Sequence, residues 1–171
     1  MKYKITKKQN VSNMCVVCGI HNHSSLKSEF YECEDKFVVA LTNGKDIHQS
    51  YPDRMHGGMI TALIDETIGR AIQITEPDTW GVTSEITVKF RKPVPLNQIT
   101  KCVCKITKEN SRGFTGEGFI EDQQGNLLVT ATATYIKIPL AKITGDKCEE
   151  AGWENITRED DPTEIEIFNK V

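Results

Sequence analysis

The chain contains one long helix pattern followed at once by a series of strand patterns, and this order restricts the fold more than any other feature. In residues 57–76, apolar side chains recur with the 3.6-residue period of an α-helix, with polar side chains on the opposite side. Pro77 ends this pattern, because a proline is tolerated in the first turn of a helix but breaks the helix at any later position. We therefore predict one helix of about five turns. Its apolar stripe consists of Ile60, Ile64, Ile68 and Ala71.

Beyond Pro77 the apolar residues recur with period two, which is typical of half-buried strands. The pattern predicts strands at residues 82–90, 99–108, 114–121 and 127–138, and two more upstream at 29–34 and 36–42. Short turns at 110–113 and 123–126 join the last three strands, so these strands must pair antiparallel. The predicted fold class is α+β, with an antiparallel sheet wrapped around one long central helix.

The length of 171 residues indicates one domain with extensions at both ends. Residues 1–27 form an N-terminal Cys-x-x-Cys segment, residues 28–138 the main domain, and residues 139–171 an acidic C-terminal extension. The extension carries nine acidic residues against four basic ones. Because it breaks the strand pattern, we predict that it is partly helical or disordered.

Composition and charge exclude several classes of function. The formal net charge is −3, and no basic stripe with interleaved aromatic residues is present, so nucleic-acid binding has little support. No apolar run approaches the length of a membrane span, and no apolar signal core follows the first residues. The six cysteines do not form the framework of a secreted disulfide-rich domain. The expected location is the cytoplasm.

The start of the predicted helix carries the chemistry. His56 is followed by Gly57 and Gly58, although glycine is a poor helix former. The free backbone N–H groups of a helix start can bind an oxyanion or a polarised carbonyl. Asp65 lies further along the same helix among small residues and can act as a base or a nucleophile. Glu66 points about 100° further round the helix, and we assign it a structural role.

These residues resemble the hotdog-fold acyl-CoA thioesterases of the phenylacetate-pathway type. The resemblance covers residues 28–138 and rests on Tyr51-Pro52-x-x-Met55-His56-Gly57-Gly58, Ile64-Asp65-Glu66, Thr83, and Phe90-Arg91-Lys92-Pro93-Val94-Pro95. It implies a homodimer, possible further pairing of dimers, and hydrolysis of an acyl-CoA thioester without metal or organic cofactor. It also implies that Gly57 supplies a backbone N–H to the thioester carbonyl, that Asp65 is the general base or nucleophile, and that Thr83 assists it.

Four further residues are candidates for substrate binding. Some relatives carry an asparagine six residues before the His56 position, where this chain has Ser50 with Gln49 beside it, and Gln49 is a candidate replacement. Arg91 and Lys92 are candidates for contact with CoA phosphates, and ordinary surface cations are the alternative. His56 and Gly58 belong to the same substrate-binding set, with His56 expected to shape the turn.

Thr83 can assist Asp65 only if its side chain reaches the site. Strict alternation along the strand places Thr83 on the polar face, opposite Ile86. It can therefore serve the site only if that face lines a dimer interface or if a β-bulge re-aims the side chain.

The spacing of the motif favours a dimer independently of the resemblance. Gly58 and Asp65 are seven residues apart, which is about 10 Å along a helix axis. The oxyanion donor and the base must converge within roughly 3 Å of one reacting group. One straight helix cannot satisfy both conditions, so we predict a composite site in which an antiparallel second copy supplies the missing half.

The N-terminal Cys15-x-x-Cys18 pair has His21 and His23 close behind it, which raises the question of a zinc site. Structural zinc sites normally take their ligand pairs from two separated segments. Because all four residues lie in one short stretch, the expectation is that no metal binds. The stretch from Cys15 to Leu26 resembles an N-terminal segment found ahead of the hotdog domain in some of these thioesterases.

Two alternatives to hydrolysis stay open on the sequence alone. One is a non-catalytic acyl-CoA-binding or sensor protein of the same fold, and the other is a hotdog hydratase or dehydratase. The acyl group of the substrate is not predicted, because side chains from several strands shape the pocket.

Overall fold

An eight-stranded antiparallel sheet wraps around one helix in the computed structural model, which describes residues 1–145 and 152–170. The predicted fold class is confirmed. The strands follow the order β10-β1-β2-β3-β7-β8-β9-β6 across the sheet, and β4 and β5 form a separate hairpin before the helix. The elements are β1 (Lys2–Lys8), β2 (Glu29–Cys33), β3 (Phe37–Asn43), β4 (Gln49–Tyr51), β5 (Arg54–Met55), α1 (Gly57–Arg70), β6 (Thr79–Phe90), β7 (Ile99–Glu109), β8 (Gly113–Glu121), β9 (Leu127–Pro139), α2 (Leu140–Thr144) and β10 (Glu164–Glu166).

The helix α1 fills the concave side of the sheet with the predicted apolar stripe. Ile64 and Ile68 are fully buried, and Leu63 joins them from the neighbouring position. They pack with inward side chains of the sheet in one continuous core. Burying each of these side chains stabilises the fold by about 1.5–3 kcal/mol, so the stripe holds α1 firmly in place.

The helix ends earlier than the sequence pattern predicts. The pattern continues to residue 76, but α1 ends at Arg70 and a 3₁₀ turn covers Ala71–Ile74. The Thr75 N–H bonds to the carbonyl of Ile72 in the tighter spacing of such a turn. Pro77 disfavours helical geometry in Glu76, the residue before it, so helical structure does not continue past this point and the chain turns towards β6.

The two ends of the chain join the same sheet. The sequence predicts no strand in either terminal segment, whereas the structure has β1 in the first and β10 in the last, paired with each other. The strand β1 carries four lysines among seven residues and β10 has only three residues, so neither shows a clear pattern. The predicted helical part of the extension corresponds to α2. Asp146, Cys148, Glu149 and Glu150 lie outside the described residues.

Both terminal segments also lie against the end of α1. An isolated antiparallel bridge joins Val11 to Glu154, and the ring of Trp153 packs 5.0 Å from that of Trp80 in β6. Arg70, the last residue of α1, is covered on one side by Trp153 at 4.9 Å. Within the residues that the structure describes, no helix has the length and apolar character needed to cross a membrane.

Candidate active site

Asp65 receives two hydroxyl donors on one carboxylate oxygen. The Thr83 hydroxyl donates to Oδ1 at 2.9 Å, and the Tyr135 hydroxyl lies 3.0 Å from the same oxygen and 2.9 Å from the Asp65 carbonyl. Among the described residues, no hydrogen bond uses Oδ2 of Asp65. The carboxylate is therefore oriented through one oxygen, while the other can accept a proton from water or attack a carbonyl carbon.

Thr83 reaches Asp65 because β6 contains a bulge. The register of β6 against β9 shifts between Thr83 and Glu85, and the hydroxyl of the extra residue, Ser84, donates to the Thr134 carbonyl at 3.0 Å. A bulge turns the side chains on one side of it relative to those on the other. Strict alternation along the strand would have kept Thr83 away from Asp65, and the bulge turns its side chain towards the acid.

Tyr135 is a site residue that the sequence analysis did not identify. It lies in β9, its side chain is almost fully buried, and its ring stacks on Phe114 with centroids 4.8 Å apart. Burial, followed by the charge of Asp65, raises the pKa of Tyr135, so the hydroxyl stays a hydrogen-bond donor. The alternation of β9 puts Tyr135 on the helix-facing side with Ala131 and Ala133, but it does not reveal which helical residue the hydroxyl meets.

The small residues around Asp65 make room for this aromatic pair. A Cβ on Gly69 of α1 would lie 3.3 Å from Tyr135 Cε1, and a Cβ on Gly81 of β6 would lie 2.6 Å from Phe114 Cζ. Both glycines are thus explained by packing inside one chain. They let the tyrosine come close enough to α1 to bond the acid.

The start of α1 is capped by His56. Its Nδ1 accepts the Gly58 N–H at 2.9 Å, so His56 shapes the turn, as expected, and the Gly58 N–H is occupied while this cap persists. A Cβ on Gly58 would lie only 3.0 Å from that nitrogen. Within the described part of the chain, no hydrogen bond uses the Gly57 N–H. A Cβ on Gly57 would meet only the Phe90 ring, at an ordinary 3.6 Å.

Glu66 lines the same small cavity as Asp65 and pairs with Arg70. Glu66 Oε1 accepts from Arg70 Nε at 2.9 Å, one turn along the helix. The guanidinium is buried and lies 3.9 Å from the centre of the Phe30 ring. This position agrees with a structural role for Glu66.

The remaining predicted site residues are not beside Asp65 in a single chain. Gln49 and Ser50 are exposed on β4, in the hairpin that precedes α1. Arg91 donates to Thr130 Oγ1 at 3.2 Å, and Lys92 donates to Asn126 Oδ1 at 3.2 Å. Arg91 lines a groove of about 500 Å³ on the sheet face opposite α1, and Lys92 lines a different groove.

The cavity next to Asp65 is small. Its volume is about 110 Å³, and Thr83, Tyr135, Trp80 and Trp153 contribute to its walls while Gly57 does not. Since a water molecule takes about 30 Å³ in the liquid, such a cavity holds a few waters and cannot enclose an acyl-CoA. One chain therefore provides the acid and its donors in one place and the free helix-start N–H in another.

The chain is similar to known thioesterases in sequence. Residues 53–129 match the family model of the thioesterase superfamily. The acyl-coenzyme A thioesterase THEM4 of Mus musculus is 30% identical over 110 residues, which are 64% of this chain and 46% of that protein. Its counterpart from Xenopus laevis is 30% identical over 112 residues, which are 64% of this chain and 49% of that protein. The chain spans about half the length of these curated relatives.

Solved structures show the same architecture. The PaaI protein of the E. coli phenylacetic acid degradation operon superposes with a TM-score of 0.60 at 16% identity, covering 66% of this chain and 80% of that one. A hypothetical thioesterase protein of Streptococcus pneumoniae, solved with coenzyme A, superposes with a TM-score of 0.58 at 21% identity, covering 66% of this chain and 89% of that one. Identities below 25% support the fold alone. The chain therefore has the hotdog fold, and its residues 53–129 are similar in sequence to the thioesterase superfamily.

Proposed function

We propose that this protein hydrolyses an acyl-CoA thioester to the free acid and CoA. The single observation that carries the proposal is the Asp65 carboxylate, which Thr83 and Tyr135 fix through Oδ1 while Oδ2 stays open. The sequence similarity to the superfamily and to proteins named acyl-coenzyme A thioesterases supports the same chemistry. Neither the sensor nor the hydratase alternative is favoured by any feature of the described site.

The chemistry requires only these groups. The Gly57 N–H polarises the thioester carbonyl, and the open oxygen of Asp65 either takes a proton from the attacking water or attacks the carbonyl carbon itself. In both routes the carbon–sulfur bond breaks, the sulfur leaves with its electron pair and is protonated to the thiol, and a water supplies the new acid oxygen. A thioester is already activated, so we propose that hydrolysis uses no metal or organic cofactor.

We further propose that the working unit is a homodimer with α1 helices antiparallel across a twofold axis. In this arrangement the Gly57 N–H of one protomer meets Asp65 of its partner. The support is the separation of about 10 Å between the two halves of the motif, together with the small size of the Asp65 cavity. Two such dimers can pair further without changing the site.

For CoA itself we propose Arg91, Lys92, Gln49 and Ser50 as binding residues. All four are exposed, and the two cations keep further N–H groups free to donate to phosphate oxygens. The ordinary charge balance and the cysteine usage support a cytoplasmic location as part of this proposal.

The proposal is tested with a panel of acyl-CoAs of different chain length and polarity, detecting the released thiol with a chromogenic reagent. We expect turnover on at least one of them, and a loss of about 10²–10⁴-fold in kcat for Asp65→Asn, which keeps the shape of the side chain and an acceptor for both hydroxyls. Asp78→Asn, which changes an exposed carboxylate away from this cavity, serves as the control and should retain activity. Binding of acyl-CoA without turnover would support the sensor instead, and water addition to an enoyl-CoA would support the hydratase.

A further inference from the structure

Two thiols and a carboxylate from separate segments meet next to the candidate active site. Cys15 and Cys18 lie on a turn of the N-terminal segment, and Glu66 lies on α1. One ligand atom from each of the three residues lies within 4.8 Å of the other two. Cys18 is buried, and Cys15 and Glu66 are half-buried. The hydrolysis proposal does not use any of these residues.

The turn is built around the Cys15 sulfur. The N–H groups of Val17 and Cys18 point at Cys15 Sγ, at 3.2 and 3.5 Å, and the Gly19 N–H donates to the Cys15 carbonyl at 2.8 Å. A Cβ on Gly19 would lie 2.4 Å from that carbonyl oxygen, so the turn closes only with glycine there. These contacts hold the Cys15 sulfur in place within the turn.

Arg70 ties the turn to the carboxylate. Its Nε donates to Glu66 Oε1 at 2.9 Å and its Nη2 donates to Cys18 Sγ at 3.2 Å. The guanidinium cannot move far, because Nη1 also donates to the Asn10 carbonyl at 2.7 Å and the Phe30 ring lies against it. Arg70 therefore orients two of the three groups, as residues next to metal ligands commonly do.

The cluster stays electrically neutral when a divalent cation binds. The two thiols lose their protons on binding, so the thiolates and the Glu66 carboxylate carry three negative charges, which Arg70 and a divalent cation together neutralise. Thiolate ligands select Zn²⁺ over the hard cations Mg²⁺ and Ca²⁺.

We propose that Cys15, Cys18 and Glu66 bind one Zn²⁺ ion, with a water as the fourth ligand, and that the ion fastens the N-terminal segment to α1. At about 2.3 Å from sulfur and 2.1 Å from oxygen, a tetrahedral ion needs ligand atoms about 3.5–3.8 Å apart, which small side-chain rotations provide here. This differs from the expectation of no metal, because α1 supplies a ligand from a second segment. His21 and His23 are exposed and do not belong to the cluster.

The test measures the metal content of the untagged full chain, expressed in medium that contains zinc and purified without chelator. We expect about one zinc per chain by elemental mass spectrometry, and a thiolate-to-cobalt charge-transfer band when Co²⁺ replaces zinc. Cys15→Ser and Cys18→Ser should each lose the stoichiometric zinc and the band, and Glu66→Gln should weaken zinc binding at least tenfold in competition with a chromophoric chelator. The double variant His21→Ala, His23→Ala is the matched control and should keep the stoichiometric zinc and the cobalt band.

Several outcomes would overturn the proposal. They are wild-type protein with less than about a tenth of an equivalent of zinc, zinc held more weakly than about 10 µM, a Cys15–Cys18 disulfide in the freshly purified chain, or loss of zinc in the double histidine variant. If a cysteine variant fails to fold, the cobalt spectrum of the wild-type protein and the zinc affinity of Glu66→Gln still test the proposal. None of these readouts depends on thioesterase activity, so this proposal can fail while the proposed function stands, and the reverse is also true.

Discussion

Gly57 is the glycine of the site that its own chain does not explain. Gly58, Gly69 and Gly81 each have a neighbouring side chain that leaves little or no room for a Cβ, whereas Gly57 has only an ordinary contact with Phe90. Gly57 also lacks the positive φ angle that favours glycine. No contact within the described chain therefore requires a glycine at this position. This is the position where the proposed mechanism puts the thioester.

Removing only the Gly57 N–H tests its role as an oxyanion donor. Gly57 is the first residue of α1, where proline is tolerated, and His56 already has the extended geometry (φ −62°, ψ 136°) that a following proline requires. We expect Gly57→Pro to lower kcat by about 10²–10³-fold with little change in stability, because one oxyanion donor is lost. Gly57→Ala keeps the N–H and should lose far less activity. Equal losses in the two variants, measured by thiol release, would indicate that bulk rather than the N–H matters.

Tyr135 and Thr83 are expected to act by orienting Asp65. Tyr135→Phe removes the hydroxyl and keeps the ring stacked on Phe114, so we expect kcat to fall about 10–100-fold, the value of one hydrogen bond to a charged group. Thr83→Val should lower kcat by a similar factor. Since the pKa of Tyr135 is raised, its hydroxyl stays protonated at pH 10, and wild-type activity should show no loss from its ionisation below that pH. Unchanged steady-state kinetics in both variants would remove the two donors from the mechanism.

The residues of the site differ in how far the sequence could predict them. Asp65 and Gly57 lie in one motif, and Thr83 follows at a characteristic spacing. Tyr135 is 70 positions from Asp65, and its contact depends on β9 lying next to β6 at the edge of the sheet. A pattern of alternating residues predicts that Tyr135 faces inward, but the contact itself is a property of the assembled sheet.

Among the elements, a strand was easiest to predict where its burial alternates. The predicted strand at 127–138, for example, corresponds to β9 at Leu127–Pro139, in which buried and exposed positions alternate from Ala131 to Ile136. The outer strands β1 and β10 have no clear sequence pattern. They are strands because they pair with each other in the folded sheet. They cover a second apolar cluster on the face opposite α1, formed by Cys33, Phe37, Val39, Val103, Ile165 and Ile167.

The strand β10 is expected to contribute stability rather than activity. Ile167 follows β10 and is fully buried, so we expect Ile167→Ala to lower the free energy of unfolding by about 2–5 kcal/mol in urea denaturation. Glu166→Ala, at the exposed neighbouring position, should change it by less than about 0.5 kcal/mol. Both variants should keep the wild-type kcat under native conditions. A small effect of Ile167→Ala would mean that the C-terminal segment is not packed on the sheet.

At the scale of the whole molecule, the proposed site consists of two half-sites that one chain keeps apart. The helix α1 is continuous from Gly57 to Arg70, so no bend brings its start towards Asp65. The sequence spacing already required this separation, and the small cavity at Asp65 agrees with it. The surface for the proposed second copy is harder to predict from the sequence, because it depends on side chains from several strands at once. Complementation between variants can test the arrangement directly.

We expect activity to return when Asp65→Asn chains are refolded together with Gly57→Pro chains. In a heterodimer one site combines the intact Gly57 of the first chain with the intact Asp65 of the second, while the other site carries both defects. Random pairing makes about half of the dimers mixed, so the sample should recover about a quarter of the wild-type kcat per chain. Asp65→Asn mixed with Tyr135→Phe is the control, since Tyr135 bonds Asp65 within one chain and no fully intact site can form. If the first mixture shows no more activity than its two parents, the site lies within a single chain and Gly57 is not the donor to the thioester that Asp65 hydrolyses.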